Sequence, residues 1–158
     1  MIIQLTKDDL ELDTRAMGLW CRLPYLNHPK GCPNYGKKKT CPPFSKPFYD
    51  LVEPPIFLVI QPFNLEAQAK RMKERHPRWS DRQCRNLLYW QKGVIKSLKE
   101  EANAFIESQD NDLILVEVPE ANGVHVFKTC ENVGIILERN PRKVVNKIMI
   151  IGKRKNSV

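Results

Sequence analysis

The sequence predicts a single α/β or α+β domain, with a four- to five-stranded sheet, two main helices and a long cysteine- and proline-rich loop. Three observations lead there. Four or five short apolar stretches have strand character, two longer stretches repeat apolar residues at helical spacing, and residues 21–55 have the composition of neither. The 158 residues, 42 % hydrophobic and 28 % charged, suit one globular domain that buries a core without disulfides. No repeat or shift in composition divides the chain. It reads as one domain over 1–158, made of the loop 21–55, a strand–helix–helix unit over 56–106, and C-terminal strands over 112–152.

The elements follow in chain order. "MIIQL" is a short strand, and "TRAMGLW" is a helical or turn segment that leads into Cys21. Between 21 and 55 eight prolines each remove a backbone donor, which rules out sustained helix or ladder. A loop longer than about 15 residues needs its own anchor or a function. "IFLVIQPF" is a continuous apolar run, as in a central strand buried on both faces. Asn64 caps a helix through "LEAQAKRMKERH", which Pro77 ends. Ser80 with Gln83 forms a capping-box pattern that opens a long helix to about Ile106, with Cys84, Leu87, Leu88, Ile95, Leu98, Ala102 and Phe105 on its buried stripe. "DLILVEVP", "GVHVFK", "VGIILER" and "KVVNKIMIIGK" are strand candidates.

The N-terminus lacks a basic-then-apolar signal pattern, and no apolar run approaches the roughly 20 residues that span a bilayer. The expected location is the cytoplasm, with no membrane partner. Thiols stay reduced there, so clustered cysteines point to a metal or redox site. Cys21, Cys32 and Cys41 are separated by ten and then eight residues, wider than the paired cysteines of zinc ribbons. Their contexts, "GCPNYG" and "TCPPF", set each thiol in rigid turns whose N–H groups can face bound sulfur. Lys37, Lys38 and Lys39 offset thiolate charge. A fourth donor would come from Cys84, Cys130 or His28. Cys84, about one turn into a capped helix, is the ligand candidate of the three, and a small hydrophobe on the helix stripe is its structural alternative.

Two segments carry a family resemblance. "CPNYGKKKTCPPF" resembles the signature of a family of predicted metal-binding proteins, domain of unknown function 2284, and "PEANGVHVFKTCENVGIILERNP" resembles that family's closing segment. Together they span about a third of the chain, in the family's order. The resemblance implies metal or iron–sulfur binding through Cys32 and Cys41, with Cys21 included by position. It implies no reaction. Many members carry a further cysteine group before the closing segment, and "QDNDLILVEVPEANG" has none, so one centre at most is expected.

Thiolate ligation suits both zinc and iron–sulfur clusters, and the long uneven spacing favours a [4Fe–4S] cluster, with zinc the alternative. The chemistry would then be redox or sulfur handling, with a redox or sulfur-transfer protein as partner. No phosphate-binding glycine motif or nucleophile elbow is present. The net charge of +8 allows a second reading, a zinc-stabilised nucleic-acid-binding module using Lys37, Lys38, Lys39, Arg78 and Arg82, whose arginines alternate with Trp79, Tyr89 and Trp90. A plain interaction domain with free thiols is the third.

Overall fold

The computed structural model describes residues 1–24, 28–109 and 112–156. The fold is α+β, a four-stranded antiparallel sheet with six α-helices among the described residues. The strands are β1 (Ile2–Leu5), β2 (Val52–Asn64), β3 (Leu113–Val116) and β4 (Val144–Arg154), in the order β1-β2-β4-β3. The apolar run "IFLVIQPF" thus takes a central place. Its side chains divide by alternation: Ile56, Leu58 and Ile60 join one core cluster, while Val59 and Phe57 join another on the opposite face. A register shift between Glu53 and Ile56 accommodates Pro54 and Pro55, which cannot donate to a ladder.

The helices are α1 (Ala16–Arg22), α2 (Phe48–Leu51), α3 (Leu65–Arg75), α4 (Asp81–Cys84), α5 (Gln91–Glu107) and α6 (Val126–Asn132). Helix α5 buries Leu98 and Ala102 against Val59, Leu113, Met149 and Ile151. The other face of the sheet is covered by Leu10, Phe48 of α2, Val124, and Val126 and Cys130 of α6. Asn64 caps α3 by accepting from the Ala67 N–H at 2.8 Å, and both bonds of the Ser80–Gln83 capping box are present.

Four expectations are corrected. The stretch after Ser80 is not one helix to Ile106: α4 stops at Cys84, a 3₁₀ turn occupies Leu87–Tyr89, and α5 begins at Gln91. Asn86 breaks it, because its side chain accepts from the Leu88 N–H and competes with helical bonding. Leu87 and Leu88 are accordingly exposed, and the buried positions of α5 are Val94, Leu98 and Ala102. "GVHVFK" is not a strand. Val124 makes an isolated bridge to Leu12, then His125 accepts from the Lys128 N–H and α6 starts. "VGIILER" forms no strand either, because its glycine ends α6: Gly134 has φ +80°, its N–H bonds the Glu131 carbonyl, and the Ile135 N–H bonds that of Cys130. The irregular loop also ends earlier than 55, at Pro47, where α2 and β2 take over.

Candidate functional site

The loop that carries Cys21, Cys32 and Cys41 is built from turns closed by its own backbone. The Cys32 N–H donates to the Cys21 carbonyl at 2.6 Å, which lays the second cysteine's backbone against the end of α1. Gly31 makes this approach possible. It has φ +85°, and a Cβ there would stand 2.4 Å from the Cys21 oxygen. The Tyr35 N–H bonds the Cys32 carbonyl, and the Gly36 N–H bonds that of Pro42, bringing the ends of the lysine segment together. The Cys41 N–H then bonds the Lys38 carbonyl, and the Cys41 carbonyl accepts from Phe44 and Ser45.

Two side chains fasten this loop to the rest of the fold. Ser45 Oγ of the loop donates to the Ala121 carbonyl at 2.6 Å, and Asn122 Nδ2 donates to the Lys46 carbonyl at 2.7 Å, so both bonds join the loop to the 3₁₀ turn Pro119–Asn122. Buried Phe48 follows directly and enters the core. Arg22 holds the other flank: its Nε donates to the Gly18 carbonyl and its guanidinium lies 5.9 Å from the centre of the Tyr35 ring. Arg22 and Ser45 have no signal in sequence spacing, since each acts on whatever the turns happen to place beside it.

All three loop thiols are half-buried. Burial pushes the Cys21 thiol above its ordinary range, Cys32 adds to the effect, backbone hydrogen bonding at Gly18 opposes it, and Cys41 adds further. The charges of Cys32 and Cys41 thus both bear on the Cys21 thiol. As they are placed, no group of three or more histidine, cysteine, aspartate or glutamate side chains among the described residues is arranged to hold a metal ion. Lys37, Lys38 and Lys39 are exposed on the loop. Beside Cys41 a hollow of about 500 Å³ opens between Lys39, Phe44 and Lys46 on one wall and β3 on the other.

The remaining cysteines lie elsewhere. Cys84 is 1 % exposed in an apolar cluster with Ala69, Met72 and half-buried Trp79, a cluster that no loop residue joins. Cys130 is fully buried in the main core on α6, where burial and then the charge of Glu120 push its thiol up to about 11. His28 sits half-buried within the loop region. Arg78 and Arg82 are exposed on and just before α4; Arg82 lines a different hollow from Lys39, so the structure does not gather the five basic candidates around one cavity. The aromatic residues between the arginines pack inward or on one another: Trp90 stacks on Phe63 at 4.8 Å, and Trp79 stacks on His76 at 4.0 Å.

No protein-family model, curated protein or solved structure matches the chain. Among the described residues no helix is long and apolar enough to cross a membrane.

Proposed function

We propose that this chain is a metal-binding protein in which Cys21, Cys32 and Cys41 ligate one centre, an iron–sulfur cluster in preference to zinc, for redox or sulfur-related chemistry. The observation that carries the reading is the backbone packing of the loop, in which the Cys32 N–H donates to the Cys21 carbonyl at 2.6 Å while all three thiols stay half-buried. Backbone bonds from Tyr35 to Cys32, Gly36 to Pro42 and Cys41 to Lys38 set the course of the chain between Cys32 and Cys41. The donor set is soft and partly exposed, which suits iron–sulfur or zinc ligation and leaves a route for loading. Binding would fix the three thiols around the metal, as a site that closes on its metal does.

Cys84 is set aside as the fourth donor in this proposal, since its sulfur is enclosed by Ala69, Met72 and Trp79. Three protein thiols leave one position of a tetrahedral ion, or one iron of a cluster, for an external ligand. An iron–sulfur cluster so held would supply one-electron transfer or sulfide exchange. The chain's own contribution is to fix the thiols in proline-bounded turns, offset their charge with Lys37, Lys38 and Lys39, and admit solvent on one side. The resemblance to the predicted metal-binding family belongs to this same proposal.

The test is anaerobic purification with iron, sulfide and zinc analysis. A brown protein with stoichiometric iron and sulfide is the expected result. Colourless stoichiometric zinc would shift the reading to a zinc-shaped module, and a metal-free protein would overturn it. Cys32→Ser and Cys41→Ser should each lose the metal, while Cys84→Ser and Cys130→Ser retain it. Retention in the first pair would remove the site assignment.

A further inference from the structure

The hollow of about 500 Å³ beside Cys41 runs along an edge of the sheet. β3 is the last strand in the order and, among the described residues, pairs with β4 alone. The Arg154 N–H bonds the Asp112 carbonyl at 2.7 Å, and the register then continues unbroken from Leu113 opposite Lys153 to Val116 opposite Ile150. Bonded and unbonded pairs alternate along an antiparallel ladder, so Ile114 and Val116 turn their N–H and carbonyl groups toward β4. Leu113 and Leu115 turn theirs away from it, and no described residue takes them up. Natural sheet edges are blunted by charge, proline or a bulge, and the "LILV" of β3 has none of these.

The walls make a groove of this edge. Every residue from Ile114 to Val118 lines the hollow, whereas one face of a strand would contribute every second residue, so the hollow follows the backbone edge itself. Across it stand Phe44, 58 % exposed, and half-buried Leu51, with Lys39 and Lys46. The bonds of Ser45 to Ala121 and of Asn122 to Lys46 hold this wall against the turn that follows β3. Lys39, Lys46 and Glu117 are the ionisable residues of the lining. The Glu117 carboxylate is already met by Lys99 of α5 at 2.7 Å, while Lys39 and Lys46 are exposed and form no ion pair among the described residues.

We propose that this groove receives an extended segment of a partner protein, carrying acidic and apolar side chains, which adds as a further strand to the edge of β3. The outward N–H and carbonyl of Leu115 supply main-chain bonds that fix the segment's position, and side-chain contacts supply selectivity. Phe44, Leu51 and Ile114 offer it apolar cover, and carboxylates on it would meet Lys39 and Lys46, the two charges of the groove that lack a partner. A second copy of this chain fits less well. Its β3 would arrive with the same lysine-bearing wall and set like charges against each other. The proposal concerns the edge and its lysines, and does not rest on the loop holding a metal.

The test titrates the full chain with a short, blocked, fluorescently labelled peptide that alternates glutamate and valine, against its lysine–valine counterpart, and follows single-residue amide exchange by NMR. The glutamate peptide should bind at least about tenfold more tightly than the lysine peptide and slow exchange at Leu115, leaving Ile114 and Val116, already bonded to β4, unchanged. The double variant Lys39→Glu with Lys46→Glu should weaken the glutamate peptide by about tenfold or more, as loss of charge-assisted contacts does, and favour the lysine peptide. The same change at exposed Lys7 and Lys70, which do not line the groove, controls for net charge and should have little effect. N-methylating alternate residues of the peptide should abolish binding in one of the two phases, because every second N–H of an added strand faces its neighbour. Binding without protection of Leu115, or an equal loss in the Lys7 and Lys70 control, would overturn the proposal. So would a dimer in solution that protects Leu115 with no peptide present, since the edge would then belong to a second copy.

Discussion

Cysteines of one chain serve opposite purposes according to what surrounds them. Cys130 is sealed in the core and faces the charge of Glu120, and both effects hold its proton on, taking the thiol from the ordinary 9.0 up to about 11. Because the folded state then binds this proton more tightly than the unfolded state, the resulting stabilisation is complete below pH 9 and is lost as pH rises from 9 toward 11. A shift of that size corresponds to about 2 to 3 kcal/mol. Denaturant unfolding of the wild type should therefore show stability falling across that window, and Cys130→Ser should fall less steeply while starting lower for its buried hydroxyl. Equal slopes in the two proteins would show that the thiol stays protonated in both states or ionises without cost. The loop thiols differ in kind. Cys21 is raised by burial and by its two cysteine neighbours, so metal loading must displace protons and should strengthen as pH rises.

At the scale of the element, the loop between α1 and α2 owes its shape to close backbone contact as much as to its prolines. Gly31→Ala tests this without touching a thiol. The new Cβ would meet the backbone of Cys21 and Arg22, at 2.4 and 2.9 Å, from a left-handed φ that alanine adopts at a cost. The clash is with main chain, so it cannot be relieved by a side chain turning aside. The variant should lose about 2 kcal/mol or more and most of its metal, read by metal stoichiometry and by faster amide exchange over 28–45. Unchanged metal content would show that the Cys21–Cys32 contact is incidental to binding. Glycine in "KGCPNYG" was visible in the sequence as a turn residue, but its contact partner was not. The same limit explains the rest. The central strand, the Asn64 cap and the Ser80–Gln83 box were legible, because each depends on neighbours within four residues. The break at Asn86 and the helix at "VHVFKTC" were not, because a β-branched alternation suits a strand locally and only the core contacts of Val126 and Cys130, with the stop at Gly134, select the helix. The two readings of Cys84, ligand or small hydrophobe, could not be separated for a similar reason: its helix stripe was readable, the apolar cluster of Ala69, Met72 and Trp79 was not. Nor could spacing reveal that Arg139, Arg142 and Lys147 converge on Arg82 and Arg85, more than fifty residues away.

For the whole molecule, the net charge of +8 sets how it meets any polyanion, and the layout divides that charge between distinct places. Lys37, Lys38 and Lys39 are exposed on the cysteine loop, while Arg82 belongs to the arginine-rich hollow by α4. Association with single-stranded nucleic acid should then be weak and dominated by counterion release, so that affinity falls steeply as salt is raised. Neutralising the three loop lysines together should reduce the slope of log affinity against log salt by about 2 if all three meet phosphates, at roughly 0.7 per contact. The variant should still bind the metal, though less tightly, since the lysines offset thiolate charge but none is a ligand. This separates a loop that binds metal for its own chemistry from one whose metal merely shapes a nucleic-acid surface. In the first case fluorescence titrations across a salt series give a shallow, non-selective interaction that vanishes near physiological ionic strength. Tight binding with a sequence preference that survives about 0.3 M salt would require base contacts beyond counterion release, and would make the basic surface, with the cysteine loop as its scaffold, the functional face of the molecule.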